Sequence, residues 1–118
     1  MILLVDDNQS ILECTAEALF DFGYLVMTAT NGQEAVELFA SHQSDIDMVM
    51  TDINMPVKDG IKAANEMRHI RGDVPIVFAT GQDLVGLPAR IGEFGNYHLL
   101  SKPLSFELLD QYMQEVLR

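Results

Sequence analysis

The chain has 118 residues, 48% of them hydrophobic and 21% charged, which is typical of one soluble globular domain. Its net charge of −11 repels phosphate backbones and argues against nucleic-acid binding, and it has no apolar run of the roughly 18 residues that membrane insertion requires. Its one cysteine cannot form an internal disulfide, so we expect a reducing compartment, the cytoplasm.

Short apolar runs alternate with segments of helical periodicity along the chain. The apolar runs predict five strands, over residues 2–5, 25–29, 48–51, 76–79 and 97–100. The periodic segments predict helices over residues 11–22, from the cap Asn31 to about residue 39, over 60–70, and from the cap Ser105 to about residue 117. Cys14, within the first helix, is expected to be a small buried hydrophobe.

The segment between the fourth and fifth strands contains poor helix formers. Gly86, Pro88 and Gly92 all disfavour a long helix, and a proline is tolerated only in the first turn. We therefore expect a helix that starts near Pro88 and is short or mobile.

Five strand–helix units of this length predict an α/β fold. The favoured arrangement is a doubly wound five-stranded parallel sheet of strand order 2-1-3-4-5, the flavodoxin-like topology. We expect a single domain over residues 1–118.

Polar residues follow four of the predicted strands, at the sheet edge where open parallel sheets bind ligands. These residues are Asp6 and Asp7, Asp52 and Asn54, Thr80, and Ser101-Lys102-Pro103. Three carboxylates in one cleft cannot all ionise without a cation. Oxygen ligands and room for water favour Mg²⁺, whereas the scattered cysteine and histidines make zinc a poor candidate.

Four motifs stand in order, each at a strand end: VDDN at residues 5–8, TDINMPVKDG at 51–60, ATG at 79–81 and SKP at 101–103. With these motifs the chain resembles response-regulator receiver domains over its whole length. The resemblance implies a phosphorelay signalling module. Such a module catalyses its own phosphorylation and slow dephosphorylation and is not otherwise an enzyme.

The resemblance also implies a role for each site residue. Asp52 would accept the phosphoryl group, Lys102 would pair with it, and the hydroxyl of Thr80 would hydrogen-bond it. Pro56 and Gly60 would shape the loop after the third strand. The residues implied to bind the cofactor Mg²⁺ are Asp7 and Asp52 directly, Asp6 mainly through water, and Asn54 through its backbone carbonyl.

The phosphodonor implied by the resemblance is the phosphohistidine of a histidine kinase or a histidine phosphotransfer protein, because no histidine of this chain stands in a matching place. The signal would pass to a downstream protein effector or a covalently linked output domain. The sequence leaves open whether the chain acts alone or comes from a hybrid histidine kinase or a longer regulator. The VDDN motif favours the hybrid kinases weakly.

One position departs from the family pattern. Receiver domains usually carry an aromatic switch residue three positions before the lysine, and this chain has Leu99 there. Thr80 and Leu99 are the candidate switch residues, although the sequence leaves open whether Leu99 still acts as one. We hypothesise that residues 81–95 reorder on phosphorylation, which alters the face they form with the fifth strand and the last helix.

Two other functions fit the predicted fold less well. A dedicated aspartyl-phosphate phosphohydrolase would need a general-acid carboxylate two residues after its nucleophile, where this chain has Asn54. An FMN electron carrier would need a hydroxyl-rich phosphate loop after the first strand. Asp6, Asp7 and Asn8 occupy that place, and their charge would repel the FMN phosphate.

Overall fold

The computed structural model describes residues 1–81, 97–102 and 105–117. These residues form five strands and four helices. In chain order they are β1 (Ile2–Val5), α1 (Gln9–Asp21), β2 (Val26–Ala29), α2 (Gly32–His42), β3 (Met48–Thr51), α3 (Gly60–Ile70), β4 (Ile76–Thr80), β5 (His98–Ser101) and α4 (Phe106–Val116).

The strands form one parallel sheet in the order β2-β1-β3-β4-β5, which confirms the predicted fold class. Residues of β1 and β3 are buried along their whole length, as expected for strands covered on both faces. The register pairs Val5 of β1 with Thr51 of β3, so the residues after these strands emerge side by side. This edge carries the polar residues singled out above.

Asparagine and aspartate side chains start three of the helices. Asn8, Asn31 and Asp59 each accept a hydrogen bond from the backbone N–H three residues on. Asn31 caps α2 as predicted, but Glu34 does not complete a reciprocal capping box, because its side chain accepts from the hydroxyl of Thr30 and not from the N–H of Asn31. The backbone of α4 starts after Ser105 as predicted, but the Ser105 side chain makes no capping hydrogen bond.

Two apolar clusters lie on opposite faces of the sheet. One packs β1, β3 and β4 against α2 and α3, and the other packs the sheet against α1 and α4. Strand alternation divides β5 between them, so Leu99 contacts the first cluster and Leu100 the second.

Cys14 is exposed, so the expectation that it is buried was wrong. Helix α1 buries Leu12, Thr15 and Leu19 instead. At about 100° per residue, Cys14 lies roughly 200° around the helix from Leu12 and so faces away from the sheet. Phe22, predicted as the last residue of this helix, follows it as the C-cap residue and is 37% exposed.

The helix predicted near Pro88 lies outside the described residues, as does most of the segment 81–95 and Pro103. Within the part of the chain that the structure describes, every helix is too short or too polar to cross a bilayer.

Candidate functional site

Three carboxylates converge at the carboxyl edge of β1 and β3. Asp6 and Asp7 follow β1, Asp52 follows β3, and one oxygen from each lies within 4.8 Å of the others. The backbone N–H of Asp52 donates to the carbonyl of Val5 at 3.0 Å, which extends the pairing of the two strands into the site. Asp6 is buried, Asp52 is half-buried and Asp7 is exposed. The three carboxylates therefore differ in solvent exposure, which increases from Asp6 through Asp52 to Asp7.

Lys102 brings a positive charge to this cluster from β5, although β4 and β3 separate that strand from β1. Its ammonium nitrogen lies 2.6 Å from Oδ2 of Asp6 and 3.3 Å from Oδ2 of Asp52. Burial lowers the pKa of Lys102, but its hydrogen bonds and attraction to Asp6 and Asp52 outweigh burial and raise the pKa overall. Lys102 is thus held in its charged form between two acids.

The pKa of the Asp52 carboxyl group is also raised, but here burial is the main cause of the rise. Burial raises its pKa above the ordinary value, and the charge of Asp6 adds to the rise. Lys102 and the backbone N–H of Ile53, which donates to Oδ1 at 2.8 Å, lower it without cancelling the effect of burial. A partly desolvated carboxylate with one oxygen tied to the backbone and the other facing a cation has a defined orientation for reaction.

Asp6 is fixed by the start of α1. Its Oδ1 accepts a hydrogen bond from the backbone N–H of Asn8 at 2.9 Å, and Asn8 in turn caps the helix by accepting from Ile11. Both oxygens of Asp6 therefore have partners, since Oδ2 accepts from Lys102. This arrangement leaves Asp7 as the exposed acid at the mouth of the cluster.

Two glycines, at the starts of α2 and α3, lie in close contact with the backbone between β3 and α3. A Cβ on Gly60 would lie 1.9 Å from the carbonyl oxygen of Asp52, and a Cβ on Gly32 would lie 2.3 Å from the carbonyl oxygen of Lys58. The N–H of Gly32 also donates to that carbonyl. Gly60 was expected to shape this loop, whereas Gly32 was missed, since its partner is distant in sequence.

Val57 occupies the outermost part of the same loop. It has a φ of 70° and is 82% exposed, and across it the N–H of Lys58 donates to the carbonyl of Pro56 at 2.8 Å. A β-branched residue rarely adopts positive φ, so this tight turn carries backbone strain. Lys58 pairs with Glu66 of α3, which ties the turn to the helix behind it.

The remaining predicted residues are placed only in part. Asn54 lies in the loop, exposed, two residues after Asp52, and its metal contact stays a prediction. The backbone of Thr80 ends β4 beside Ser101, while its side chain falls outside the described part of the structure. Leu99 is half-buried against the cluster that contains Phe78, and Tyr97 packs its ring edge-on to Phe78 at 5.7 Å.

The donor set fits a hard divalent cation. The clustered groups are carboxylate oxygens, with the exposed side open to water ligands, which suits Mg²⁺. Lys102 already neutralises part of the negative charge on Asp6 and Asp52. A cation bound on the solvent-exposed side would neutralise the rest of the negative charge of the three carboxylates.

Curated relatives match almost the whole of this chain. A probable transcriptional regulator, ycf27, of Guillardia theta is 38% identical over 99% of this chain and 45% of its own length. The sensor histidine kinase RcsC of Salmonella typhimurium is 33% identical over 94% of this chain and 12% of its own length. The chain thus spans about half or less of the curated relatives it matches.

Solved structures match over almost the whole chain. A response regulator receiver domain protein from Clostridium thermocellum superposes with a TM-score of 0.90, at 26% identity, over 98% of this chain and 92% of that one. The sequence model of the response regulator receiver domain matches residues 2–114. The chain therefore belongs to the response regulator receiver domain family of two-component signalling systems.

Proposed function

We propose that this chain accepts a phosphoryl group on Asp52 from a partner phosphohistidine and relays the signal through a change of its protein-binding face. The observation that carries the proposal is the bridge of Lys102 between Asp6 and Asp52, within a cluster of three carboxylates. Phosphoryl transfer depends mainly on positioning and on neutralising negative charge, and an ammonium group held beside a carboxylate nucleophile and two further acids provides both.

The reaction is a nucleophilic displacement at phosphorus. A carboxylate oxygen of Asp52 attacks the phosphorus, the P–N bond to the donor imidazole breaks, and the bonding electrons go to the imidazole nitrogen, leaving an acyl phosphate. The second oxygen of Asp52 stays bound to the N–H of Ile53. Lys102 then exchanges part of its contact with Asp52 for one with the incoming phosphoryl oxygens, so its charge remains compensated.

The acidic residues would hold Mg²⁺ at the same site. Asp7 and Asp52 would bind it directly, Asp6 mainly through water, and Asn54 through its backbone carbonyl. When bound, the metal neutralises charge that develops on the phosphoryl oxygens. Asp6 contributes from the inside by fixing Lys102, since their 2.6 Å contact keeps the ammonium directed at the reaction centre.

Hydrolysis of the acyl phosphate resets the module. A water attacks the phosphorus, the bond to the Asp52 oxygen breaks, and inorganic phosphate leaves with the carboxylate restored. The residue two positions after Asp52 is Asn54, which is a poor general acid–base group, so this step is slow. Self-phosphorylation and slow dephosphorylation are the only reactions we assign to the chain.

The partners in this proposal are proteins. The donor is a histidine kinase or a histidine phosphotransfer protein in the cytoplasm, and the receiver of the signal is an effector or a linked output domain. The net charge of −11 supports protein partners over nucleic acid for these residues. Residues 1–118 act as one domain in this scheme.

Labelling with a small phosphodonor tests the assignment. With acetyl phosphate and Mg²⁺ the wild-type chain should gain one phosphoryl group, and Asp52→Asn should gain none. Asp59→Asn is the matched control, because Asp59 lies in the same loop, caps α3, and can be replaced by another good cap. Label that persists in Asp52→Asn, or that disappears equally in Asp59→Asn, would contradict Asp52 as the acceptor.

A further inference from the structure

The hydroxyl of Thr51 contacts the peptide that follows the acceptor aspartate. Thr51 is the last residue of β3 and is 1% exposed. Its Oγ1 donates to the carbonyl oxygen of Asp52 at 2.8 Å. By strand alternation Thr51 shares the face of β3 with Val49, which packs against α2 and α3. Its hydroxyl is therefore shielded from solvent where it meets the Asp52 carbonyl.

The same peptide orients the carboxylate of Asp52. The carbonyl of Asp52 and the N–H of Ile53 belong to one planar trans peptide and point in opposite directions. That N–H donates to Oδ1 of Asp52 at 2.8 Å. The Thr51 hydroxyl, by holding the Asp52 carbonyl, therefore also fixes the direction of the Ile53 N–H in the same peptide. That N–H in turn orients the Asp52 carboxylate.

Gly60 leaves the carbonyl little freedom to move elsewhere. A Cβ at position 60 would lie 1.9 Å from this oxygen, so the start of α3 closes over it. The N–H of Gly60 is used by the carbonyl of Ile53, at 2.7 Å, and so serves a different peptide. The Thr51 hydroxyl donates to the Asp52 carbonyl in this enclosed position.

We propose that Thr51 is a positioning residue for phosphoryl transfer, which presets the orientation of the Asp52 carboxylate through the peptide between Asp52 and Ile53. The inference rests on the function proposed above. Thr51 touches neither the phosphoryl group nor a metal ligand's side chain in this role. It acts by holding one peptide plane, so its effect should follow the hydroxyl and not the size of the side chain.

Two substitutions distinguish the effect of the Thr51 hydroxyl from the effect of the shape of its side chain. Thr51→Val keeps the branched shape and removes the donor, and Thr51→Ser keeps the donor. We expect Thr51→Val to slow labelling by acetyl phosphate at saturating Mg²⁺ by about threefold to tenfold, the effect of one net hydrogen bond. Thr51→Ser should stay within about twofold of wild type. Thr28→Val, which removes an exposed hydroxyl from the edge strand β2, is the control for threonine-to-valine exchange.

The Ile53 amide provides a readout that loss of packing would not reproduce. Its NMR proton signal should move towards the unbonded position in Thr51→Val and stay near the wild-type position in Thr51→Ser and Thr28→Val, all measured on folded protein. Slow labelling with an unmoved Ile53 signal, or equal slowing in Thr51→Ser, would overturn the positioning role. Absence of labelling in the wild-type chain would instead refute the proposed function, so the two failures are distinguishable.

Discussion

Gly60 stands so close to the main-chain carbonyl of Asp52 that a Cβ at position 60 would lie 1.9 Å from the oxygen. The requirement for glycine here comes from this close approach of two backbone segments. The N–H of Gly60 also donates to the carbonyl of Ile53 at 2.7 Å, which fixes the start of α3 against the end of β3. Asp52 and the helix α3 behind it are therefore positioned as one unit.

Gly60→Ala should destabilise the domain because the added methyl must displace backbone, which cannot yield as a flexible side chain does. We expect the free energy of unfolding to fall by about 1–3 kcal/mol, the usual cost of overpacking. Gly72→Ala is the matched control, since the nearest atom to its Cβ would be the Arg68 carbonyl at an ordinary 3.7 Å. Urea denaturation measures both variants, and equal stabilities would contradict the close contact.

Much of this site could be predicted from sequence, because the carboxyl ends of parallel strands meet at one edge. Once strand order was predicted, Asp6 and Asp52 had to emerge side by side after β1 and β3. The motif spacing placed Lys102 with them, and its 2.6 Å contact with Asp6 agrees with that expectation. Periodicity and turn residues were sufficient for these features since each depends on local sequence and one topology.

Other features depend on contacts between distant segments, and no local pattern revealed them. Gly32 seemed only a helix start, yet its N–H donates to the carbonyl of Lys58. Thr51 seemed only a strand residue, yet its hydroxyl holds the Asp52 carbonyl. Cys14 was expected to be buried because free cysteines usually are, yet its position on α1 faces away from the sheet and the residue is exposed.

Asp7→Asn should weaken Mg²⁺ binding and leave the fold intact. Asp7 is the exposed acid of the cluster and a proposed Mg²⁺ ligand, so its substitution would remove that ligand and also relieve repulsion among three carboxylates. In wild type, Mg²⁺ should shift amide NMR signals at residues 6–8 and 52–56 and raise the melting temperature, because it binds only the folded state. In Asp7→Asn both effects should require at least about tenfold more Mg²⁺. An unchanged titration would exclude Asp7 as a ligand.

Asp52→Asn should stabilise the metal-free domain at neutral pH. Burial raises the pKa of Asp52, so above the ordinary value of 3.8 the folded state carries a cost for the ionised carboxylate. That cost disappears as the pH falls below the unfolded-state value, where the group is protonated in both states. Asparagine does not titrate, so the variant's advantage in EDTA should be largest near pH 7 and shrink towards about pH 4. Urea unfolding across this range would contradict the expectation if wild type were the more stable at pH 7.

Val57→Gly should raise the free energy of unfolding by up to about 1 kcal/mol, because glycine adopts positive φ without the Cβ clash. Val57 has a φ of 70° and is 82% exposed, so little packing is lost. Val57→Ala is the control, since alanine shortens the side chain but keeps the strained L-residue backbone. Equal changes in both variants would show that the side chain, and not the backbone conformation, sets the stability of this turn.

We expect phosphorylation to be read out mainly through residues 81–95 and only weakly through Leu99. Leu99 is half-buried against the cluster containing Phe78 and lacks the aromatic ring that could swing between two positions. The segment 81–95 lies largely outside the described residues, and its sequence contains Gly86, Pro88 and Gly92. These residues disfavour a helix, so we expect the segment to rearrange at low energetic cost. We expect beryllofluoride with Mg²⁺ to change hydrogen exchange most within 81–95 and less at Leu99, because only contacts that differ between the two states can shift their populations. Thr80→Ala should still be labelled at Asp52 but lose most of that change. Identical exchange of this segment in both states, with a partner protein that still discriminates them, would place the readout elsewhere.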